Sequence, residues 1–568
     1  MNVRTVIRLC YFIFPAFILT ISCRNPSGHE VPAGHAAFEW FEYQGYDPVY
    51  ESLEPGPNEY LNPILAGFYP DPSIVGVEND YYLVTSSFSY FPGIPVFHSK
   101  DLVNWTQLGH VLDRPSQLNL DGLGISRGVF APDISYNDNL FYLVGTIVDG
   151  IGNFVVTASD PAGPWSDPVP LPFEGIDPSL FFDEDGKAYI INNGAPEGEP
   201  LYEGHRAIWI QEFNTDSLKL AGPRKVIVNG GVDIREKPIW IEGPHIFRAN
   251  GYYYLIAAEG GTSTYHSEVV FRSETVRGPY LPWVKNPILT QRHLDPDRPN
   301  PVTCAGHADI VKTRNDEWWA VFLACTPYEN NYYNTGRQTF LLPVSWINWW
   351  PSILTDDDII PYSHEKPVLE EQPGADFPFH GNFIIRDEFR DASLAPIYNL
   401  IRTPQEKWYH VNKGKLMIRA RNEAIDDKGQ PSFIGRRQQH HFCSVSTLLQ
   451  YHPQNNGDKA GMIAFQNEEH YYFIGITQKQ ESLYVVLEKG SPGEPEEMSG
   501  YPIQLDDNDD LFLKIEARGK YYDFYYAFLP DDWILLKEDA DGTFLSTDVA
   551  GGFVGTYFGM YAYAAPDY

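Results

Sequence analysis

The sequence predicts an all-β protein: a five-bladed β-propeller followed by a β-sandwich. Two observations carry this. One phrase of sequence recurs five times between Tyr69 and Phe322, and the chain beyond it alternates in short strands without helical periodicity. A length of 568 residues also calls for more than one core.

The phrase is a short strand, a polar turn and a second apolar strand. Its first copy runs Tyr69-Pro70-Asp71-Pro72-Ser73-Ile74, turns at Glu78-Asn79-Asp80 and continues as Tyr81-Tyr82-Leu83-Val84. The later copies begin at Ala131-Pro132-Asp133-Ile134, Ile176-Asp177-Pro178-Ser179, Glu242-Gly243-Pro244-His245 and Gly306-His307-Ala308-Asp309. Their turns contain Asp138-Asn139, Asp185-Gly186, Asn250-Gly251 and Asn315-Asp316, residue pairs that favour hairpins. Several copies close on a further phrase, as in Ser99-Lys100-Asp101-Leu102 before Trp105 and Gly163-Pro164-Trp165, which supplies outer strands. Several strands per repeat is the spacing of propeller blades. The opening residues Asp71, Asp133, Asp177, Glu242 and His307 are therefore expected to ring one mouth of the central channel; Asp133, after Pro132, could also simply cap a turn.

The propeller is assigned to residues 58–370. After the Pro-rich stretch near Pro373, residues 380–568 alternate as in Leu416-Met417-Ile418-Arg419 and read as an antiparallel sandwich. Residues 1–22 form a signal peptide: Arg4 and Arg8 precede the apolar run Leu9–Ile21, which is too short to span a membrane. Ser22-Cys23 resembles a lipoprotein cleavage site, so Cys23 is the expected lipidation position. Residues 23–57 are expected to be a spacer. Cys304, Cys325 and Cys443 show neither a disulfide framework nor metal-ligand spacing. The chain is thus expected to be exported and membrane-anchored, periplasmic or at the cell surface, on the outer membrane.

A net charge of −34 argues against nucleic acid or an anionic membrane surface as partner and suits a neutral ligand. Aromatic residues make up 15%; strands favour them, and they can also line a sugar cleft. Carboxylates converging at such a cleft suit glycosidic cleavage, where one acid protonates the leaving oxygen and one base activates water. Glu242, within Trp240-Ile241-Glu242-Gly243-Pro244, has an apolar setting that raises a carboxyl pKa. Asp71 lies between two prolines on a stiff stretch. Capping a turn is the bland role for any one of these acids.

These motifs resemble glycoside hydrolase family 43, in its β-xylosidase branch with a C-terminal concanavalin-like sandwich. The resemblance rests on Tyr69-Pro70-Asp71-Pro72-Ser73, Ser87-Phe88-Ser89-Tyr90-Phe91-Pro92-Gly93, Glu242-Gly243-Pro244-His245, Gly306-His307, Ala258-Glu259-Gly260-Gly261-Thr262 and Gly435-Arg436-Arg437-Gln438. It implies an inverting enzyme with Asp71 as general base, Asp177 as the orienting and pKa-modulating carboxylate, and Glu242 as general acid. It also implies substrate binding by Arg337, by His307 below the sugar, by the walls Phe88 and Phe130, and by Tyr557 in a sandwich segment reaching over the site. No cofactor is implied for the reaction. A structural calcium in the propeller channel, with His307 acting through water, is the one metal the resemblance suggests.

The function implied is exo-acting release of terminal β-D-xylose, with α-L-arabinofuranose as a second sugar, from xylo-oligosaccharides or other plant polysaccharides. The alternatives are a dedicated α-L-arabinofuranosidase and, in another class, a non-catalytic glycan-binding surface lipoprotein, whose mark would be loss of one carboxylate.

Overall fold

The structure, a computed structural model, describes residues 31–354, 358–493, 495–505 and 509–566. The signal peptide and Cys23 lie outside the described residues. No helix among the described residues is long and apolar enough to cross a membrane.

Each repeat folds as the outline of a propeller blade. Blade I is built from Ser73–Val77, Asp80–Val84, Gly93–Ser99 and Thr106–Leu112, hydrogen-bonded in that order. The innermost strands of blades II to V are Gly128–Asn137, Ile176–Phe182, Glu242–Ala249 and Thr303–Lys312. Each packs against the next, and the fifth returns to the first, which closes the ring. The hairpin turns fall where the sequence puts them. Asp138 and Asn139 both take positive φ, as do Asn250 and Gly251, the conformation a tight two-residue hairpin demands.

One device recurs at the inner mouth. The innermost strands of blades II to V each carry a register shift at their start, between Phe130 and Asp133, Ile176 and Ser179, Glu242 and His245, and Gly306 and Asp309. At or beside the shift, Asp177, Gly243 and His307 take φ near +50°, and Asp71 does the same just before blade I. Such a bulge turns a side chain out of the alternating pattern and re-aims it.

The sandwich is made of two sheets. Among the described residues, one orders Ser432–Arg437, Tyr557–Tyr563, Lys459–Asn467, His470–Lys479, Ser482–Lys489 and Glu496–Ile503. The other corrects the expected spacer. Residues His35–Gly45 are not a tether but a strand inside this second sheet, with Ala36–Phe38 on Leu416–Ile418 and Phe38 and Phe41 on Leu449 and Thr447. Ala36, Phe38, Phe41 and Tyr43 are fully buried. The chain therefore starts in the sandwich, crosses to build the propeller, and returns.

Two buried arginines tie the sandwich to the propeller. Arg437, from the predicted segment Gly435–Gln438, donates to the Phe68 carbonyl at 2.6 Å and lies 4.2 Å over the Tyr69 ring, directly behind Asp71. Arg402 pairs with Glu468 and donates to the Leu123 carbonyl. Glu468 in turn accepts from the Ile125 amide at 3.1 Å. Leu400–Ile401 also pairs with Tyr90–Phe91 of the propeller. Cys304, Cys325 and Cys443 are free and buried.

Candidate active site

The bulged mouths of the blades open on a pocket of about 690 Å³, lined by Asp71, Asp177 and Glu242 together with Phe88, Phe130, His307 and Arg337. Tertiary structure thus brings together seven of the eight predicted catalytic and substrate-binding residues. The eighth, Tyr557, is not there. It opens the strand Tyr557–Tyr563, is wholly buried, and stacks on Tyr90 at 3.9 Å under Arg437. The sandwich residue that reaches the pocket is Phe553, in the loop before that strand.

Phe553 is placed by backbone contact. Its amide donates to Ser126 Oγ at 3.0 Å, and the Thr556 amide to the Asn334 carbonyl at 2.8 Å. Between them Gly555 presses against Gly336: a Cβ on Gly555 would lie 2.8 Å from the Gly336 nitrogen, so a side chain there would push the loop away. The Phe553 ring then sits 5.9 Å from Phe88 and 5.8 Å from Phe130, with the Arg337 guanidinium 5.7 Å from it. Three aromatic rings and one arginine therefore wall the pocket beside Asp71. Phe553→Ala is expected to remove one wall and lower kcat/KM on a small substrate by about 10- to 100-fold, the equivalent of ~1.5–3 kcal/mol of lost burial; steady-state kinetics check it.

Asp71 is held as an anion. Burial works against its charge, but Arg337 donates to it at 2.8 Å, Ser86 Oγ donates at 2.6 Å and His307 lies 3.6 Å away. Together these bring its pKa below the ordinary carboxylate range. Glu242 is the opposite case. Burial first, then the charges of Asp177 and Asp71, push its pKa well above the ordinary carboxylate range, which favours its protonated form. Burial and Asp71 likewise raise Asp177 to about 7, against the Gly243 amide that donates to it at 3.2 Å. Neighbouring carboxyls pushed apart in this way are the signature of separate acid and base roles. Gly243 is required for a second reason. Its φ is +54°, and a Cβ would meet the His307 ring at 2.6 Å. Burial lowers His307 to about 4, so it is a neutral imidazole against Asp71.

Because the base must be ionised and the acid protonated, activity should fall with acid only as pH drops through the lowered Asp71 pKa. It should fall with alkali as pH rises through the raised Glu242–Asp177 pair, above about 7. Asp177→Asn removes a negative neighbour, so Glu242 ionises more easily. The alkaline limb of the kcat/KM profile should then move to lower pH, which a titration of both proteins will show.

Asp133 does not stand at the mouth. Matching the repeats on their following Ile or Leu puts Ala131 at the Asp71 position and Asp133 level with Ser73, one tier deeper. There it accepts from the Leu180 amide at 2.9 Å and lies 3.2 Å from Ser73 Oγ. It joins Asp309 and His245 in the candidate metal-holding cluster of the described residues; His307 is not a member. His245 Nδ1 lies 3.3 Å from Asp133 and 3.6 Å from Asp309. Burial opposes its charge, but the two carboxylates outweigh burial and raise it to about 9. The void between tier and mouth holds only about 10 Å³, the room of one water.

Among the lining residues not predicted as site residues are Phe553, Arg127, Asn193, Arg206 and Trp240. Gly261 and Thr262, from a segment already singled out, also line the pocket. Arg127 and Arg206 carry no motif; they reach the site through loops on neighbouring blades.

A ring of blades with one carboxyl whose pKa is lowered and two whose pKa values are raised, facing a walled pocket, is the arrangement of a glycoside hydrolase. Residues 60–351 match the glycosyl hydrolases family 43, and residues 386–567 match its β-xylosidase C-terminal concanavalin A-like domain. The chain belongs to family 43. It is 38% identical to a xylosidase/arabinosidase of Butyrivibrio fibrisolvens, covering 88% of this chain and 95% of that one. It is 34% identical to a non-reducing end α-L-arabinofuranosidase of Bacteroides ovatus, over 89% and 91%. Among solved structures, a GH43_12 protein retrieved from capybara gut metagenome superposes with a TM-score of 0.87 at 41% identity, covering 94% of this chain and 100% of that one. A xylan β-1,4-xylosidase of Bacillus halodurans gives 0.80 at 32% identity, over 89% and 96%.

Proposed function

We propose that this glycosidase is exo-acting and inverting, and that it releases terminal β-D-xylose, with α-L-arabinofuranose as a second sugar, from xylo-oligosaccharides or other plant polysaccharides. The observation that carries the reading is the wall of Phe88, Phe130 and Phe553 beside the base. In this reading the wall bounds the pocket behind Asp71, so that a chain end enters and a continuing chain does not. In the reaction Asp71 takes a proton from water as that water attacks the anomeric carbon. Glu242 gives its proton to the leaving oxygen, and Asp177 keeps Glu242 protonated until then. Arg337, fixed by Asp71, offers its remaining N–H groups to sugar hydroxyls.

A second reading, a dedicated α-L-arabinofuranosidase, is favoured by the similarity to the Bacteroides ovatus enzyme of that name. Comparing kcat/KM on aryl β-D-xylopyranoside and α-L-arabinofuranoside decides between them. Xyloside preference supports the first reading, arabinoside preference the second, and activity on neither removes both. NMR of the first-formed anomer from the β-xyloside should show α-xylose.

Every proton transfer in this scheme uses the chain's own residues, so no cofactor is assigned to the chemistry. Asp133 and Asp309 are the oxygen donors that would hold a channel calcium, whose charge would replace that of the His245 imidazolium. We also propose export and anchoring through Cys23 to the outer membrane, supported by the residues before it; radiolabelled lipid incorporation that survives Cys23→Ala would refute it.

A further inference from the structure

The pocket is lined by three arginines with different partners. Arg337 is paired with Asp71 at 2.8 Å and Arg127 with Asp149 at 2.6 Å. Arg206 has no carboxylate partner among the described residues. Its guanidinium lies 4.0 Å over the Trp240 ring, and its Nε is buried without a hydrogen-bond partner. A buried N–H left unsatisfied is costly, more so on a cation, and Trp240 supplies a face but no acceptor.

The place of this pair gives it a meaning. Arg206 directly precedes the blade III strand Ala207–Asn214, Trp240 lies two residues before Glu242, and the Trp240 amide donates to the Gly204 carbonyl at 3.0 Å. Arg206 is close enough for its charge to oppose the rise in the Glu242 pKa. The base and the phenylalanine wall belong to blades I and II and the sandwich loop. Arg206 and Trp240 belong to blades III and IV, beside the acid. A general acid delivers its proton to the leaving oxygen, so the departing group lies on this side.

We propose that Arg206, held over the Trp240 ring, binds a carboxylate carried by the leaving group, so that the enzyme prefers a terminal pentose attached to a uronic acid or to a sugar bearing one. This rests on the pentosidase reading above. Of the three arginines, Arg206 is the one whose charge no carboxylate of the described residues pairs, and in a chain of net charge −34, with three carboxyls in the pocket, an acidic leaving group would otherwise be repelled. The planar fork of an arginine matches a carboxylate two hydrogen bonds at a time. Stacking on an aromatic face holds the fork in plane while leaving its edge free.

The test compares each acidic substrate with its carboxyl-reduced twin. One pair is the xylobiose whose leaving xylose carries an α-linked glucuronic acid; the other is xylose linked directly to glucuronic acid. An aryl pentoside serves as the measure of basic activity. At low salt the wild-type should favour the acidic member of at least one pair by about 10- to 100-fold in kcat/KM, the yield of a charge-assisted hydrogen-bonded pair. Which pair responds tells whether the carboxylate sits on the leaving residue or on its branch. The ratio should shrink with added salt, fall to about one in Arg206→Gln, and survive in part in Arg206→Lys. Because each ratio is internal to one protein, it can be read even where a variant is slower overall. A wild-type ratio near one in both pairs, or a ratio kept intact in Arg206→Gln, overturns the proposal. A wild-type inert on aryl pentosides overturns the pentosidase reading first and this proposal with it.

Discussion

Glu242→Ala should lose about 10²- to 10⁴-fold in kcat on a natural oligosaccharide, the usual contribution of a positioned general acid. The loss should depend on the leaving group. A sugar alkoxide cannot depart unprotonated, a nitrophenolate departs with little help, and fluoride from a glycosyl fluoride needs almost none. Activity of the variant on the fluoride should therefore approach that of the wild-type. The physical reason is the raised pKa of this carboxyl: burial and the charges of Asp177 and Asp71 keep a proton on it, to be given only as the bond breaks. An equal loss on all three substrates would assign Glu242 to folding or binding instead of acid catalysis.

Asp71→Asn should show the complementary pattern. Removing the base should cost about 10²- to 10⁴-fold whatever the leaving group, fluoride included, because water must be activated in every case. The substitution is nearly isosteric, so Ser86 and Arg337 keep a polar neighbour. Arg337 nonetheless loses its anion, and breaking a buried pair by removing one partner costs about 3–5 kcal/mol. The midpoint of thermal unfolding should fall with the activity. A fluoride substrate that rescued Asp71→Asn but not Glu242→Ala would reverse the two roles.

The roles expected of these residues come from the resemblance to the family; repetition in the sequence marks only their position. A single Asp beside Pro is an ordinary turn residue, but Asp71 and Asp177 stand at the same point of a repeated hairpin and Glu242 one residue before it, where Gly243 takes the positive φ, and a closed ring of hairpins brings such points together. At Asp133 the first acid of the phrase is a false guide to position, because it stands level with Ser73 and not with Asp71. The apolar residue after it keeps the true register, and a shift of two along a strand keeps the face but changes the depth. Tyr557 was misplaced by proximity: the strand it opens carries its ring into the sandwich, and the segment reaches the pocket only at Phe553.

The strand His35–Gly45 was hidden for another reason. Its neighbours are Leu416 and Leu449, several hundred residues downstream, and no local pattern reports so distant a pairing. Its Pro- and Gly-rich flanks read as a tether.

By itself, then, the sequence determined the blades, their turns and the sandwich, which follow from local periodicity and its repetition; the three carboxyls were singled out by the family resemblance as well, and the structure places them in one pocket. Tertiary structure alone decided which sandwich residue closes the pocket, which arginines reach it, and that the Asp71 pKa is held down while that of Glu242 is pushed up. Those outcomes depend on burial, on the Gly336–Gly555 approach and on charges brought close by distant segments, and the energy of a charge is set by what surrounds it in space.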